Sequence, residues 1–203
     1  MPANLRAFVA VPIPEAVTDF LHRVRAGLES RAMPVRWVAI DGIHLTIKFL
    51  GQIAPSQVDG IVARMDAVAA ATAPFQLRAQ ATGAFPSPRR ARVLWVGLEG
   101  ALAPLMSMQA SLESGLETIG FAKEERRFHP HLTIGRSRRP IDPQALGAAL
   151  EATRSLASDL FTVDRVELIK SVLKPTGAAY TLLHRSHLAL SPSADSDRVG
   201  RDT

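Results

Sequence analysis

The sequence predicts an α+β protein built as two similar lobes, related by a pseudo-twofold and meeting at a central cleft. Three observations predict it. The tetrapeptide His44-Leu45-Thr46-Ile47 occurs again, unchanged, as His131-Leu132-Thr133-Ile134. Both copies sit in β-branched, apolar stretches with similar endings, Lys48-Phe49-Leu50-Gly51 and Gly135-Arg136. The order of strand-like and helical stretches in the first half returns in the second. Alternation alone also permits an open α/β sheet; the repeat favours two lobes, each supplying one motif strand to the cleft.

Ala7 to Val11 reads as a strand stopped by Pro12 and Pro14. Glu15 to Arg31 has helical spacing, with Val17, Phe20, Leu21, Val24 and Leu28 on one face, and ends before Pro34. Val35 to Ile40 reads as a short strand, and Asp41-Gly42 as a turn. His44 to Leu50 is the first motif strand, closed by Gly51. Pro55 and Ser56 suit the start of a helix to Ala71. Phe75 to Phe85 and Ala91 to Leu98 read as strands around the loop Pro86 to Arg90. Ala101 to Ile119 reads as a helix terminated by Gly120, and Phe128 to Arg136 contains the second motif strand. Asp142 before Pro143 caps a helix to about Arg154. Phe161 to Leu173 and Ala179 to Leu190 read as strands joined by the turn Lys174-Pro175-Thr176-Gly177.

The chain has 203 residues, and its 47% hydrophobic content supports one substantial core. Residues 1–190 are expected to form a single bilobal domain. Residues 191–203 are polar, lack periodicity and are expected to be a disordered tail. There is no cysteine, which excludes disulfides and thiolate metal sites. No apolar stretch is long enough to span a bilayer, so the expectation is a cytoplasmic protein with no membrane partner, and a monomer. The net charge is +5, with basic clusters at Arg89-Arg90-Arg92, Arg126-Arg127 and Arg136-Arg138-Arg139. Such clusters suit a polyanion such as RNA or a nucleotide. Aromatic interleaving for long single-strand binding is missing.

In a strand, side chains two apart share a face, so each motif offers one imidazole beside one hydroxyl. Two such pairs facing one another form a toolkit for acid–base cleavage of a phosphodiester without a metal. Lys48 shares the parity of His44 and Thr46, so it reads either as an electrostatic aid on the cleft face, binding substrate, or equally as a solvated lysine near a strand end. Arg136 has the opposite parity to His131; a bulge at Gly135, or the end of the strand there, would let it swing to the cleft. Phe49 has the wrong parity and reads as core, as do Trp37 and Trp95. His129 and His131, at i and i+2, suggest zinc as an alternative, but neither motif strand contains Asp or Glu. His22, His184 and His187 read as structural or exposed.

The segments Arg36-Trp37-Val38, His44 to Gly51, Gly83 to Arg90, Val93-Leu94-Trp95 and Pro130 to Arg136 together resemble one group of proteins. It is the RNA 2′,3′-cyclic phosphodiesterase family, or 2′-5′ RNA ligase-like proteins, of the 2H phosphoesterase superfamily. The resemblance spans roughly residues 4 to 190. It implies antiparallel-rich sheets lining the cleft with helices outside. It implies hydrolysis of a terminal RNA 2′,3′-cyclic phosphate to a 2′-phosphomonoester, with no metal and no cofactor. By the family pattern His44 is the proton donor and His131 the proton acceptor; the sequence alone leaves the two roles exchangeable. Thr46 and Thr133 hydrogen-bond the phosphate, and Arg136 contacts the substrate. The expected partners are RNA 3′ ends or small cyclic nucleotides. Two alternatives stand beside this: 2′-5′ ligation by the same residues, and a non-catalytic module that binds RNA ends or nucleotides. Hydrolysis leads because water is abundant, and a pure binder has no need of both histidines.

Overall fold

A computed structural model describes residues 4–174 and 177–189. The expected tail, 191–203, and the centre of the last hairpin turn lie outside the described residues. Among the described residues, nine strands form one sheet in which every pairing is antiparallel. The strands are β1 (Leu5–Pro12), β2 (Arg36–Trp37), β3 (His44–Ile53), β4 (Phe75–Phe85), β5 (Val93–Gly100), β6 (His131–Arg136), β7 (Phe161–Val163), β8 (Arg165–Lys174) and β9 (Gly177–His187). The helices are α1 (Glu15–Glu29), α2 (Val58–Ala70), α3 (Leu102–Glu117) and α4 (Pro143–Thr153).

The strand order is β7-β4-β5-β6-β3-β1-β8-β9, with β2 on the free part of the β6 edge. The motif strands β3 and β6 are therefore the central pair, and each carries its own lobe outward. They touch through one registered pair, Leu45 opposite Leu132. These are equivalent positions of the repeated tetrapeptide. Antiparallel pairing of equivalent residues places a local twofold axis between them, so the predicted pseudo-symmetry passes through the middle of the sheet.

Packing explains the elements. α1 buries Val17, Phe20, Leu21, Val24 and Leu28, the five residues its spacing selects. It packs beside α4, while α2 packs beside α3. Leu45, Leu132, Ile47 and Ile134 point into the core under 4% exposed, which leaves the opposite face of the motif strands open. The carboxylate of Asp142 accepts from the backbone N–H groups of Gln144 and Ala145 at 3.2 and 3.1 Å, capping α4 as expected. No helix of the described residues is long and apolar enough to cross a membrane.

Several boundaries differ from the sequence reading, and three of the differences alter the course of the chain. The stretch Val35 to Ile40 yields only the two-residue β2, and Ile40–Gly42 tightens into a 3₁₀ turn. Gly51 does not end β3: at φ +72° it sits in a bulge against β1, and the strand continues to Ile53. The run from Phe161 breaks at Asp164 into β7 and β8, which lie in opposite lobes. A continuous apolar run carries no sign that the chain changes lobes within it.

Candidate active site

Alternation sets the first half of each motif. His44 and Thr46 face away from the core, as do His131 and Thr133, while the residues between them are buried. A bulge then interrupts both strands at the same point. Val9 pairs with Lys48 and Ala10 with Thr46, which makes Ile47 the extra residue in β3. Leu94 pairs with Gly135 and Trp95 with Thr133, which makes Ile134 the extra residue in β6. Each bulge inverts the parity of the residues beyond it. Phe49 and Arg136, five residues past their histidines, consequently turn onto the histidine face, and both line one cleft.

This overturns two expectations and refines a third. Lys48 does not face the cleft. Its Nζ is buried on the other side of the sheet, donating to Glu113 Oε2 at 2.6 Å and to the carbonyl of Ala122 at 2.8 Å. Phe49, expected in the core, is 54% exposed. Arg136 reaches the cleft through a bulge, but one residue earlier than Gly135. Gly135 is needed for another reason: a Cβ there would meet Val35 Cγ1 at 2.5 Å.

The cleft, about 440 Å³, is lined by both histidines and both threonines of the motifs, by Arg136 and Phe49, and by Arg6, Phe8 and Tyr180. Sequence reasoning missed the last three. They enter from β1 and β9, whose lateral position beside β3 no local pattern announces. Phe8 stacks on His44, ring centroids 4.5 Å apart and planes 22° from parallel, and Tyr180 meets the same imidazole edge-on at 5.3 Å. His131 is met edge-on by Phe85 at 5.0 Å.

The two imidazoles are held in the same way. Nδ1 of His44 lies 2.9 Å from the carbonyl of Gly42, and Nδ1 of His131 lies 2.7 Å from the carbonyl of His129. A carbonyl only accepts, so Nδ1 carries the proton in both rings. Nε2 is thereby left on each ring as the nitrogen that exchanges protons. Burial holds the pKa of His44 below its ordinary value, against the opposing pull of the Gly42 carbonyl. Burial also lowers His131, against the His129 carbonyl, and the charges of His129 and Arg136 lower it further.

Of the other candidates, His129 packs between Phe85 and Trp95, at 5.3 Å from each. Its backbone, more than its ring, serves His131. Among the described residues no group of three or more His, Asp or Glu is placed to hold a metal ion. Trp95 packs on Phe85 and fills the space over Gly83. Trp37 lies under the guanidinium of Arg25. His184 and Ser186 bond Asp66 on the surface, apart from the cleft.

Comparison with known proteins agrees with this architecture. The family model for LigT like phosphoesterase matches residues 11–95 and again residues 96–180, one match for each motif. The RNA 2′,3′-cyclic phosphodiesterase of Methanothermobacter thermautotrophicus is 32% identical over 182 residues, covering 88% of this chain and 96% of that one. The protein of the same name from Thermus thermophilus is 30% identical over 194 residues, covering 91% and 90%. Among solved structures, TT0787 of Thermus thermophilus superposes with a TM-score of 0.75 at 26% identity, over 91% of this chain and 98% of that one. The apo form of E. coli LigT shares the fold, with a TM-score of 0.71 at 22% identity, over 92% and 99%. With nearly all of both halves matched, the chain belongs to the LigT-like phosphoesterase family.

Proposed function

We propose that the protein hydrolyses the terminal 2′,3′-cyclic phosphate of RNA to a 2′-phosphomonoester by two-histidine acid–base catalysis. One observation carries the reading: two imidazoles with Nδ1 tied to a carbonyl two residues back, each beside a threonine, line one cleft. The names of the curated relatives support the substrate class.

In this mechanism His131 Nε2 removes a proton from water as its oxygen bonds to phosphorus. The P–O3′ bond breaks in line, and His44 Nε2–H protonates the departing 3′-oxygen. Burial lowers both imidazoles, and two local features support that division of labour. Arg136 and His129 disfavour a proton on His131, as suits a base. His44 rests on the π face of Phe8, which favours the cationic form of an acid. Thr46 and Thr133 donate to the non-bridging oxygens, and Arg136 offsets their charge as it grows. No step calls for a metal.

The test uses a short RNA ending in a 2′,3′-cyclic phosphate, in the presence of EDTA. Conversion to the 2′-phosphate supports the reading. No turnover by folded protein, or turnover abolished by EDTA and restored by metal, rejects it.

The charges in the cleft also set the pH dependence. Activity is lost as pH falls through the pKa of His131, which must be neutral. It is also lost as pH rises through that of His44, which must be protonated. Both are lowered from the ordinary histidine value, so the bell for kcat/KM, which reports the free enzyme, is expected to centre on the acid side of about 6.5. An anion bound between the rings raises both, so the kcat bell should lie at higher pH. A kcat/KM optimum above about pH 7 contradicts this. Arg136→Gln removes a charge-assisted contact and is expected to lower kcat/KM by about 10- to 100-fold. Because Arg136 also lowers His131, the acid limb of the profile should move to higher pH in the same variant. A fall in activity with an unmoved limb would place Arg136 outside the site's electrostatics.

A further inference from the structure

We propose that the groove beside His131 holds the RNA strand leading to the reacting end, with Arg126 and Arg127 gripping its internal phosphates. The proposal rests on the cyclic phosphodiesterase reading and extends it from the terminal phosphate to the chain behind it. The groove, about 800 Å³, is larger than the cleft and continuous with it, because Thr46, Phe49 and His131 line both. Arg92, Arg126 and Arg127 also line it, with Phe85 and Phe128 as apolar surface for sugars and bases.

The charges point to a polymer. A cyclic mononucleotide carries a single phosphate, which the histidines, threonines and Arg136 occupy. A separate set of cations in the adjoining groove finds nothing to bind on such a ligand. An oligonucleotide brings further phosphates, and guanidinium groups are suited to them. Two carboxylates line the groove, but Glu113 is neutralised by Lys48, so Glu124 alone opposes the arginines. Arg126 and Arg127 are exposed neighbours, and among the described residues neither makes a hydrogen bond or ion pair. Two exposed guanidinium groups with no protein partner keep their donors available for phosphate oxygens.

The experiment compares wild type with Arg126→Ala/Arg127→Ala on a 2′,3′-cyclic mononucleotide and on a ten-nucleotide RNA with the same end. The expected result is that the kcat/KM ratio of RNA to mononucleotide falls on the order of tenfold or more. The log–log salt dependence of KM for RNA should become shallower by about 1.4, at roughly 0.7 for each single-strand phosphate that is no longer neutralised. An unchanged ratio, or a salt slope equal to wild type, overturns the groove. If wild type turns over neither substrate, the cyclic phosphodiesterase reading fails by itself. Fluorescence anisotropy with the same RNA then decides the groove: weaker, less salt-dependent binding by the variant supports it, and equal binding overturns it.

Discussion

Alanine at either His44 or His131 is expected to lower kcat on a cyclic-phosphate RNA by roughly 10²- to 10⁴-fold, the usual contribution of a positioned acid or base. The two losses should not add. Once one proton-transfer partner is gone, the other serves a mechanism that no longer runs in concert, so the double variant should resemble the worse single one. The pH profile separates the roles. His131→Ala should lose the acid limb of the bell and His44→Ala the basic limb. A full bell retained in either variant would mean that the missing imidazole does not titrate in the rate-limiting step. His44 also stacks on Phe8 and meets Tyr180 edge-on, so thermal unfolding of each variant must accompany the kinetics.

The other large effect lies on the opposite face of β3. Lys48 and Glu113 are both nearly inaccessible, with side chains 2% and 8% exposed. Glu113 also accepts from Gln109 Nε2 at 3.2 Å and from the backbone N–H of Glu124 at 3.3 Å. The pair thus ties the bulged motif strand to α3 and to the segment leading into β6. Removing the cation alone leaves a desolvated carboxylate without its partner, and Lys48→Met is expected to cost about 3–5 kcal/mol. Lys48→Met/Glu113→Leu should recover part of that loss, since no charge remains buried, though the Glu124 N–H stays unpaired. Urea unfolding at about pH 7 measures both. A loss below about 1 kcal/mol in Lys48→Met, as for a solvated surface pair, would overturn the assignment.

The histidines and threonines were legible because strand parity over three residues needs no knowledge of neighbours. The core face of α1 was legible for the same local reason. Beyond Ile47 and Ile134 that logic fails. A bulge depends on how the adjacent strand is registered, and neither Ile47 nor Ile134 differs chemically from an ordinary strand residue. The one inversion moved Lys48 into the interior and brought Phe49 out. For Arg136 the glycine beside it suggested irregular backbone, and the suggestion proved right in effect though misplaced by one residue. Arg6, Phe8 and Tyr180 depend on lateral strand order, which is a property of the sheet and not of any segment.

Rotation about the axis between Leu45 and Leu132 exchanges the histidines and exchanges the threonines, but it carries Phe49 onto Arg136. An anion lying on that axis meets the same imidazole and the same hydroxyl whichever way round it sits. The nucleotide attached to it has a front and a back. On the proposed reading, direction is set where the duplication has diverged, and a phenyl ring on one bank facing a guanidinium on the other is one such divergence.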